Sequence, residues 1–433
     1  MSARSISSSG ALALLLVAIV SVSAWRTVSQ SPGIDFYQFW LVGHALLDGE
    51  IEDPYRPEAG SRLAAIGREQ ALATDGERLR AAARARPVLE VFSSPFLYAV
   101  FGAAASGDYE RDYRRFQLLS LLAALGAVVL LCRALDYGWV GTGIAVALLG
   151  MPFEPYHSDT VVGNVNRLLL LVMALFLALG RKTGARWRVG LGGAALGAAL
   201  VFKPLLAVAA LWLGLSRLLE RRFPRAAWEA GGMLLGSAMA VLTTVWSFGS
   251  LALWRSWFGA FDRLWWDFEL PAQAGNFSLT QLALEVTGLD VSLLLAAILG
   301  LALLTALLAR LRHEPALRSA AAHPAAFDAL VLGAGVTATL LFGRLAWQHY
   351  ELLTAPLLLC LMRPRPVAAP RDSGILAAAA LAWFLLSFQA FRLFESSSAW
   401  LAAATVCGGA LLLFAAAIAE LLRVPGETSD RSG

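Results

Sequence analysis

The sequence predicts an all-α polytopic membrane protein. Three observations carry this. Hydrophobic residues make up 58% of the 433-residue chain and the mean hydropathy is +0.64. Charged residues make up only 15%, against about 25% in a soluble protein. The apolar residues are gathered into long runs separated by short basic loops, so a single integral membrane domain over residues 1–433 is expected. The net charge of +4 is small and sits in membrane-flanking loops, which excludes a nucleic-acid-binding surface. The 3 cysteines, Cys132, Cys360 and Cys407, lie in or beside apolar runs without metal-type spacing, and read as small core residues. The Ala-, Arg- and Gly-rich composition is associated with GC-rich bacterial genomes, so the expected location is a bacterial inner or plasma membrane.

The first apolar run covers Ala11 to Val20 and continues to Trp25. Val22-Ser23-Ala24 has the look of a signal-peptidase site, but the length of the run favours an uncleaved first transmembrane helix. A first outer loop is expected over 27–114. It opens on Asp35, the first acidic residue of the chain. Apolar residues then fall at 36, 39, 40, 43, 46 and 47, a helical spacing with Gln38 and Asp48 off the apolar face. This helix is too short and polar to span a bilayer, and reads as interfacial with Asp35 as an N-cap. The polar stretch 51–89 carries Arg62, Arg68, Arg78, Arg80, Arg84 and Arg86, and its Ala-rich part, 60–86, predicts one or two short helices. Val88 to Ala105 is apolar but interrupted by Ser93-Ser94-Pro95, and reads as a second interfacial or re-entrant helix.

Further spans are expected at 116–135, 139–153, 164–180, 189–202, 204–216, 229–248, 291–309, 326–342, 350–362, 374–391 and 399–421, giving with the first helix about twelve. The pair around Lys203-Pro204 reads as a kinked segment, because proline frees backbone groups there. A second outer loop covers 249–290. Orientation follows from the short loops. One set of loops carries 14 basic residues, among them Arg181, Lys182, Arg217, Arg225, Arg310, Arg318, Arg363, Arg365 and Arg371. The alternate set carries 6: Arg167, Lys203, Arg255, Arg263, Arg344 and Arg392. The positive-inside rule makes the first set cytoplasmic.

This orientation gathers polar residues on the outer side: Asp35; Glu154, His157 and Asp159; Asn164, Asn166 and Arg167; Lys203; Asn276; Arg344, Trp347, His349 and Glu351. Polar residues in membrane segments are costly and default to a functional reading. Each has a plainer alternative taken singly. Arg167 and Lys203 suit snorkelling, Asn164 and Asn166 suit inter-helix hydrogen bonding, and Trp347 suits an interfacial belt. Trp254, Trp257, Trp265 and Trp266 read first as belt or packing residues. Together the group describes one site, with a carboxylate at the interface, cations for an anionic headgroup and amides for hydroxyls. That suits attack by an acceptor hydroxyl on a sugar carried by a lipid phosphate. Broken helices and intramembrane charge also fit a transporter or flippase, although the polar group sits at one face and no inverted repeat is evident.

Five stretches in order resemble glycosyltransferase family 87. Asp35-Phe36, Gly43, Leu46-Leu47-Asp48-Gly49 and Asp53-Pro54-Tyr55 resemble its first-loop signature. Gly163-Asn164-Val165-Asn166, Phe202-Lys203-Pro204, Gly275-Asn276-Phe277-Ser278-Leu279 and Trp347-Gln348-His349-Tyr350 resemble later motifs. Phe277 replaces the usual Gln, and Phe92-Ser93-Ser94-Pro95 replaces an aromatic followed by paired prolines. The resemblance implies a C-type membrane enzyme that uses polyprenyl-phosphate mannose, with its site on the extracytoplasmic face. It implies Asp35 as general base, inversion at the sugar, and a lipid or glycan acceptor. His349, Lys203, Arg167 and Arg344 would hold the donor phosphate, and Asn164, Asn166, Asn276 and Trp347 the substrates. No metal or other cofactor is implied. Another lipid-linked sugar, such as an arabinofuranose, fits the same pattern.

Overall fold

The computed structural model describes residues 8–181, 185–266, 270–271, 275–313, 324–364 and 373–423. Lys182, Arg318, Arg365 and Arg371 of the charge count lie outside the described residues, as do the side chains of Arg263, Trp265 and Trp266. The described residues are all-α, with no strand and two isolated bridges, Phe153 with Ser387 and Asn276 with Trp347.

The chain opens with α1 (Ser8–Gln30) and α2 (Ile34–Leu47), then places α3 (Ala59–Ala73) and α4 (Glu77–Ala85) in the polar stretch. There follow α5 (Pro95–Ala104), α6 (Tyr109–Ala134), α7 (Trp139–Gly150), α8 (Glu154–Val162), α9 (Asn166–Gly180) and α10 (Arg186–Phe202). Next come α11 (Ala207–Leu219), α12 (Phe223–Phe248), α13 (Ala252–Trp266), α14 (Leu279–Thr287), α15 (Ser292–His313) and α16 (Pro324–Phe342). The chain closes with α17 (Ala355–Met362), α18 (Ser373–Leu385), α19 (Phe388–Glu395) and α20 (Ala399–Leu422).

Among the described residues, six helices are long and apolar enough to cross a membrane: Gly10–Gln30, Tyr109–Ala134, Phe223–Phe248, Ser292–Arg312, Ala325–Phe342 and Ala399–Leu422. Leu234, Leu235, Met239, Leu242 and Trp246 on α12, and Leu293, Leu294, Ile298 and Leu301 on α15, stand exposed at helical spacing. An apolar face of that kind needs lipid against it. The other expected spans are shorter. At about 1.5 Å per residue, helices of 12–15 residues reach only about 18–23 Å of a core about 30 Å thick. They are cut short by identifiable residues. Lys203 is extended (φ −150°) ahead of a 3₁₀ turn at Pro204–Leu206. Ser387 splits the expected span 374–391 by capping α19, its side chain accepting from Ala390 N–H. The expected span 350–362 begins as a 3₁₀ turn, Gln348–Thr354, before α17.

One reading of the first loop changes. The helix α2 is buried on nearly all sides and does not lie as an amphipathic helix on a surface, because α4, α5 and α6 cover it. Its polar Gln38 is satisfied inside, donating to the Glu90 carbonyl. The second apolar stretch forms α5, with Ser94 as N-cap accepting from Leu97 N–H and donating to the Phe202 carbonyl (3.0 Å) at the end of α10.

Between α10 and α12 the backbones touch through small residues. A Cβ on Gly236 would stand 1.9 Å from the Ala194 carbonyl oxygen, and one on Gly197 2.0 Å from that of Met233. This seam fixes the end of α10 that presents Lys203. Gly236→Val is expected to destabilise the protein by about 1–3 kcal/mol, as overpacking usually does. A detergent melt indistinguishable from wild type would show that the seam yields freely.

The molecule has two polar poles. At one, Arg217 is fully buried against Asp328 (2.7 Å), Glu229 (3.0 Å) and Glu220 (3.5 Å). Arg225 bridges Asp328 and Glu229 (both 2.7 Å), and Arg222 meets Glu220 (2.8 Å). Arg217 and Arg225, counted above as loop cations, are thus parts of a buried ionic network joining α11, α12 and α16. At the other pole lie the starts of α2, α6 and α9 and the end of α10. Asp328 near the start of α16 belongs to the first pole, while Phe342 at its end leads into the second, a rise of about 20 Å.

Candidate functional site

The second pole is built around Asp35. The chain enters α2 through Gly33, whose φ of 71° is left-handed and whose Cβ would stand 2.2 Å from the Tyr113 ring. Only glycine fits there. Tyr109 donates its hydroxyl to the carbonyls of Pro32 (2.6 Å) and Gly33 (3.1 Å), and Arg78 Nε donates to that of Ser31 (2.9 Å). Gly33 is the N-cap, with no side-chain cap, so the N-cap reading of Asp35 is corrected. Asp35 sits in the first turn, and its oxygens look outward. Arg86 Nη2 donates to Oδ1 (2.9 Å), Asn164 Nδ2 donates to Oδ2 (2.7 Å), and His349 Nε2 stands 3.6 Å from Oδ2.

Asn164 is presented by a second left-handed glycine, Gly163, between α8 and α9. Its Oδ1 accepts from Lys203 Nζ (3.0 Å) and from Val165 N–H (2.7 Å). The same ammonium donates to Asn166 Oδ1 (3.0 Å) and lies 3.8 Å from the centroid of the Tyr350 ring. Asn166 Nδ2 donates to Asp159 Oδ1 (2.9 Å) and to the His349 carbonyl (3.1 Å). Arg167, fully buried, gives Nε to Asp159 (2.8 Å) and Nη2 to Gln117 (2.7 Å). A continuous hydrogen-bonded chain thus runs from Asp35 through Asn164, Lys203, Asn166 and Asp159 to Arg167. Such a network holds its members rigidly because each donor meets an acceptor.

Asp35 opens into a cavity of about 390 Å³, a volume within the range of small-molecule sites. Its polar lining includes Arg86, Glu154, His157, Trp347, Gln348, His349, Arg392 and Glu395, and Phe277 and Phe391 are among its apolar walls. Burial pushes His349 down to about 3, more than the nearby Asp35 carboxylate raises it. The imidazole is therefore neutral at rest and offers a hydrogen bond and not a charge.

The expected residues divide. Asp35, His349 and Trp347 line the cavity. Asn164 stands directly behind Asp35, and Lys203 behind Asn164. Asn166, Arg167, Asn276 and Arg344 do not line it. Asn276 is spent on backbone: it donates to the carbonyls of Leu270 (3.1 Å) and Arg344 (2.7 Å) and accepts from Ala346 (3.0 Å) and Ser278 (3.3 Å). It pins its own stretch of chain to the segment that carries Trp347 and His349. Arg344 lies 3.7 Å from Asp290. Trp254 and Trp257 are buried, and Trp257 donates to the Phe92 carbonyl (2.9 Å). All three cysteines are buried and unlinked.

Arg86, Glu154, Arg392 and Glu395 reach the cavity without having been singled out as site residues. Nothing in spacing distinguishes Arg86 from the six other arginines of the 51–89 stretch. For Glu154 the signal was its place in the outer polar group, three residues before His157.

The model of glycosyltransferase family 87 matches residues 94–342, more than half of the chain. The chain belongs to glycosyltransferase family 87. No curated protein and no solved structure matches it. The protein is thus a membrane glycosyltransferase of family 87. The matched segment holds Asn164, Asn166, Arg167, Lys203 and Asn276, while Asp35, Arg86 and His349 lie outside it. In this transferase the geometry around Asp35 therefore stands as an observation separate from the family match.

Proposed function

We propose that the transferase moves a sugar, mannose on the strength of the family resemblance, from a polyprenyl-phosphate donor to a lipid or glycan acceptor. The reaction is a single displacement with inversion, on the extracytoplasmic face of a multi-pass cell-membrane protein. The observation that carries this reading is Asp35: a carboxylate lining a cavity, held by Arg86 and Asn164, with His349 beside it. One carboxylate within reach of an acceptor hydroxyl is what a one-step transfer needs as general base. Arg86 and His349 face the same cavity and can meet the departing phosphate, the first by charge and the second by hydrogen bond. Lys203 supports them by aligning Asn164. The six long spans and the shorter apolar helices together fit a C-type architecture with about twelve membrane segments. The basic loops and the Asp35 cavity lie toward opposite poles, which favours the outer face for the cavity.

The reading is tested with membranes carrying the protein, supplied with a panel of polyprenyl-phosphate sugars and read by mass spectrometry. A new glycoside from the mannosyl donor is expected. A product from the arabinofuranosyl donor alone would reassign the sugar, and donor translocation without any glycoside would mean a flippase. His349→Ala is expected to weaken donor use about 10- to 100-fold, the worth of a contact of about 1.5–3 kcal/mol to a charged group. Lys203→Ala is expected to weaken it through loosened alignment of Asn164. Unchanged donor kinetics in both variants would leave Arg86 as the phosphate contact.

A further inference from the structure

The cavity has a second set of polar groups that the transfer step does not use. Glu154 is the first residue of α8 and lines the cavity while only 5% exposed. Its backbone N–H is taken by the Leu386 carbonyl (3.1 Å), but its Oε2 has no hydrogen-bond partner among the described residues. Gln348, 8% exposed and also in the cavity wall, has an Nε2 with no hydrogen-bond partner among the described residues. Leaving such an atom buried and unsatisfied costs about 1–3 kcal/mol, and both residues line one cavity, which points to a ligand there that satisfies them.

The chemistry of that ligand follows from the groups present. Burial raises Glu154 to about 8, opposed by Arg392 and reinforced by Glu395, so at neutral pH it is a protonated acid. A protonated carboxyl gives one donor and retains acceptor capacity, and a Gln amide gives two donors and an acceptor. Paired donors and acceptors of this kind match neighbouring hydroxyls on a sugar ring. Neither a protonated carboxyl nor an amide carries the positive charge that a phosphate contact calls for. Among the described residues no group of three His, Cys, Asp or Glu is placed to hold a metal ion. Phe277, Phe391 and Trp347 in the same walls give it the apolar surface that suits the C–H faces of a pyranose.

We propose that Glu154 and Gln348 form a sugar-hydroxyl subsite of the cavity. The proposal rests on the transfer reading only for the source of the hydroxyls, the sugar of the donor or that of the acceptor. The test uses purified protein in nanodiscs and equilibrium binding of two probes. One is octyl α-D-mannopyranoside, which has hydroxyls and no phosphate, and the other is a short-chain polyprenyl-phosphate mannose. Glu154→Ala is expected to weaken at least one probe about tenfold, as loss of hydrogen bonds worth about 1.4 kcal/mol would. Glu154→Gln, a neutral isostere, should stay within about threefold of wild type. Loss confined to the octyl glycoside assigns the subsite to the acceptor, and loss on the phosphate donor assigns it to the donor sugar. Gln348→Ala should weaken the same probe, and it carries the test if Glu154→Ala does not fold. Wild-type binding of both probes by Glu154→Ala, or of both by Gln348→Ala when only that variant folds, overturns the subsite. So does a wild type that binds neither probe. Absence of transfer with the Glu154 dependence intact would remove the transfer reading and leave the subsite standing.

Discussion

Asp35→Asn is expected to abolish nearly all transfer, a loss of about 10²–10⁴-fold, the usual contribution of a general base. The substitution keeps the size of the side chain and an oxygen that can accept from Arg86. It replaces the second oxygen with an amide facing Asn164 Nδ2, so one hydrogen bond to Asn164 is lost. That costs about 1 kcal/mol and moves the melt by no more than a few degrees. What the amide cannot do is take a proton from an acceptor hydroxyl. Donor binding should survive, because Arg86 and His349 remain in the cavity wall. Asp35→Glu should retain at most a small fraction, since one methylene shifts the carboxylate out of line. Turnover of purified Asp35→Asn within a few-fold of wild type would make Asp35 a positioning residue. The search for a base would then move to Glu154, which lines the cavity and whose ionised fraction grows as pH rises toward 8, ahead of Asp159, which is committed to Arg167 and Asn166.

The largest expected effect on stability lies at the other pole. Arg217→Ala should destabilise the protein by about 3 kcal/mol, the lower end of the range for breaking a buried ion pair. The cost arises from Asp328, Glu229 and Glu220, three buried carboxylates that lose a shared partner. The lower end applies because Arg225 still bridges Asp328 and Glu229, and Arg222 still meets Glu220. Thermal melts in detergent measure this, with Arg217→Lys as a companion: an ammonium keeps the charge but cannot reach three carboxylates with a planar fork. An Arg217→Ala melt equal to wild type would mean the network contributes specificity without stability. Transfer by the protein that remains folded should change little, since Asp35 lies at the opposite end of the bundle.

The sequence carried the membrane class and the gathering of Asp35, Asn164, Lys203 and His349, and did so for local reasons. Each of these residues stands at or beside a helix start or break, where a turn residue or a proline can be read directly: Gly33, Gly163, Pro204 and the turn at Gln348. What was not legible depends on contacts far apart in the chain. Arg86 meets Asp35 across 51 residues, and no spacing selects it from the other arginines of its loop. Glu154 was legible as a member of the outer polar group, but its burial, which sets its chemistry, is not announced by a short polar stretch. Hydropathy located the apolar runs but not their breaks. Ser387 capping a new helix inside 374–391 is a hydrogen-bond event that an averaged hydropathy cannot register. Arg217 shows the same blindness from the other side: counted as a solvated loop cation, it is buried among carboxylates on three helices.

The measurement that bears most directly on one-step transfer at Asp35 is the anomeric configuration of the product. Purified protein is given a β-linked polyprenyl-phosphate mannose and an extract of membrane lipids, and the isolated glycoside is examined by NMR through its one-bond C1–H1 coupling. A single displacement with Asp35 as base predicts an α-linked mannoside from wild type and essentially none from Asp35→Asn. A β-linked product, or an α-linked product formed equally well by Asp35→Asn, would contradict it.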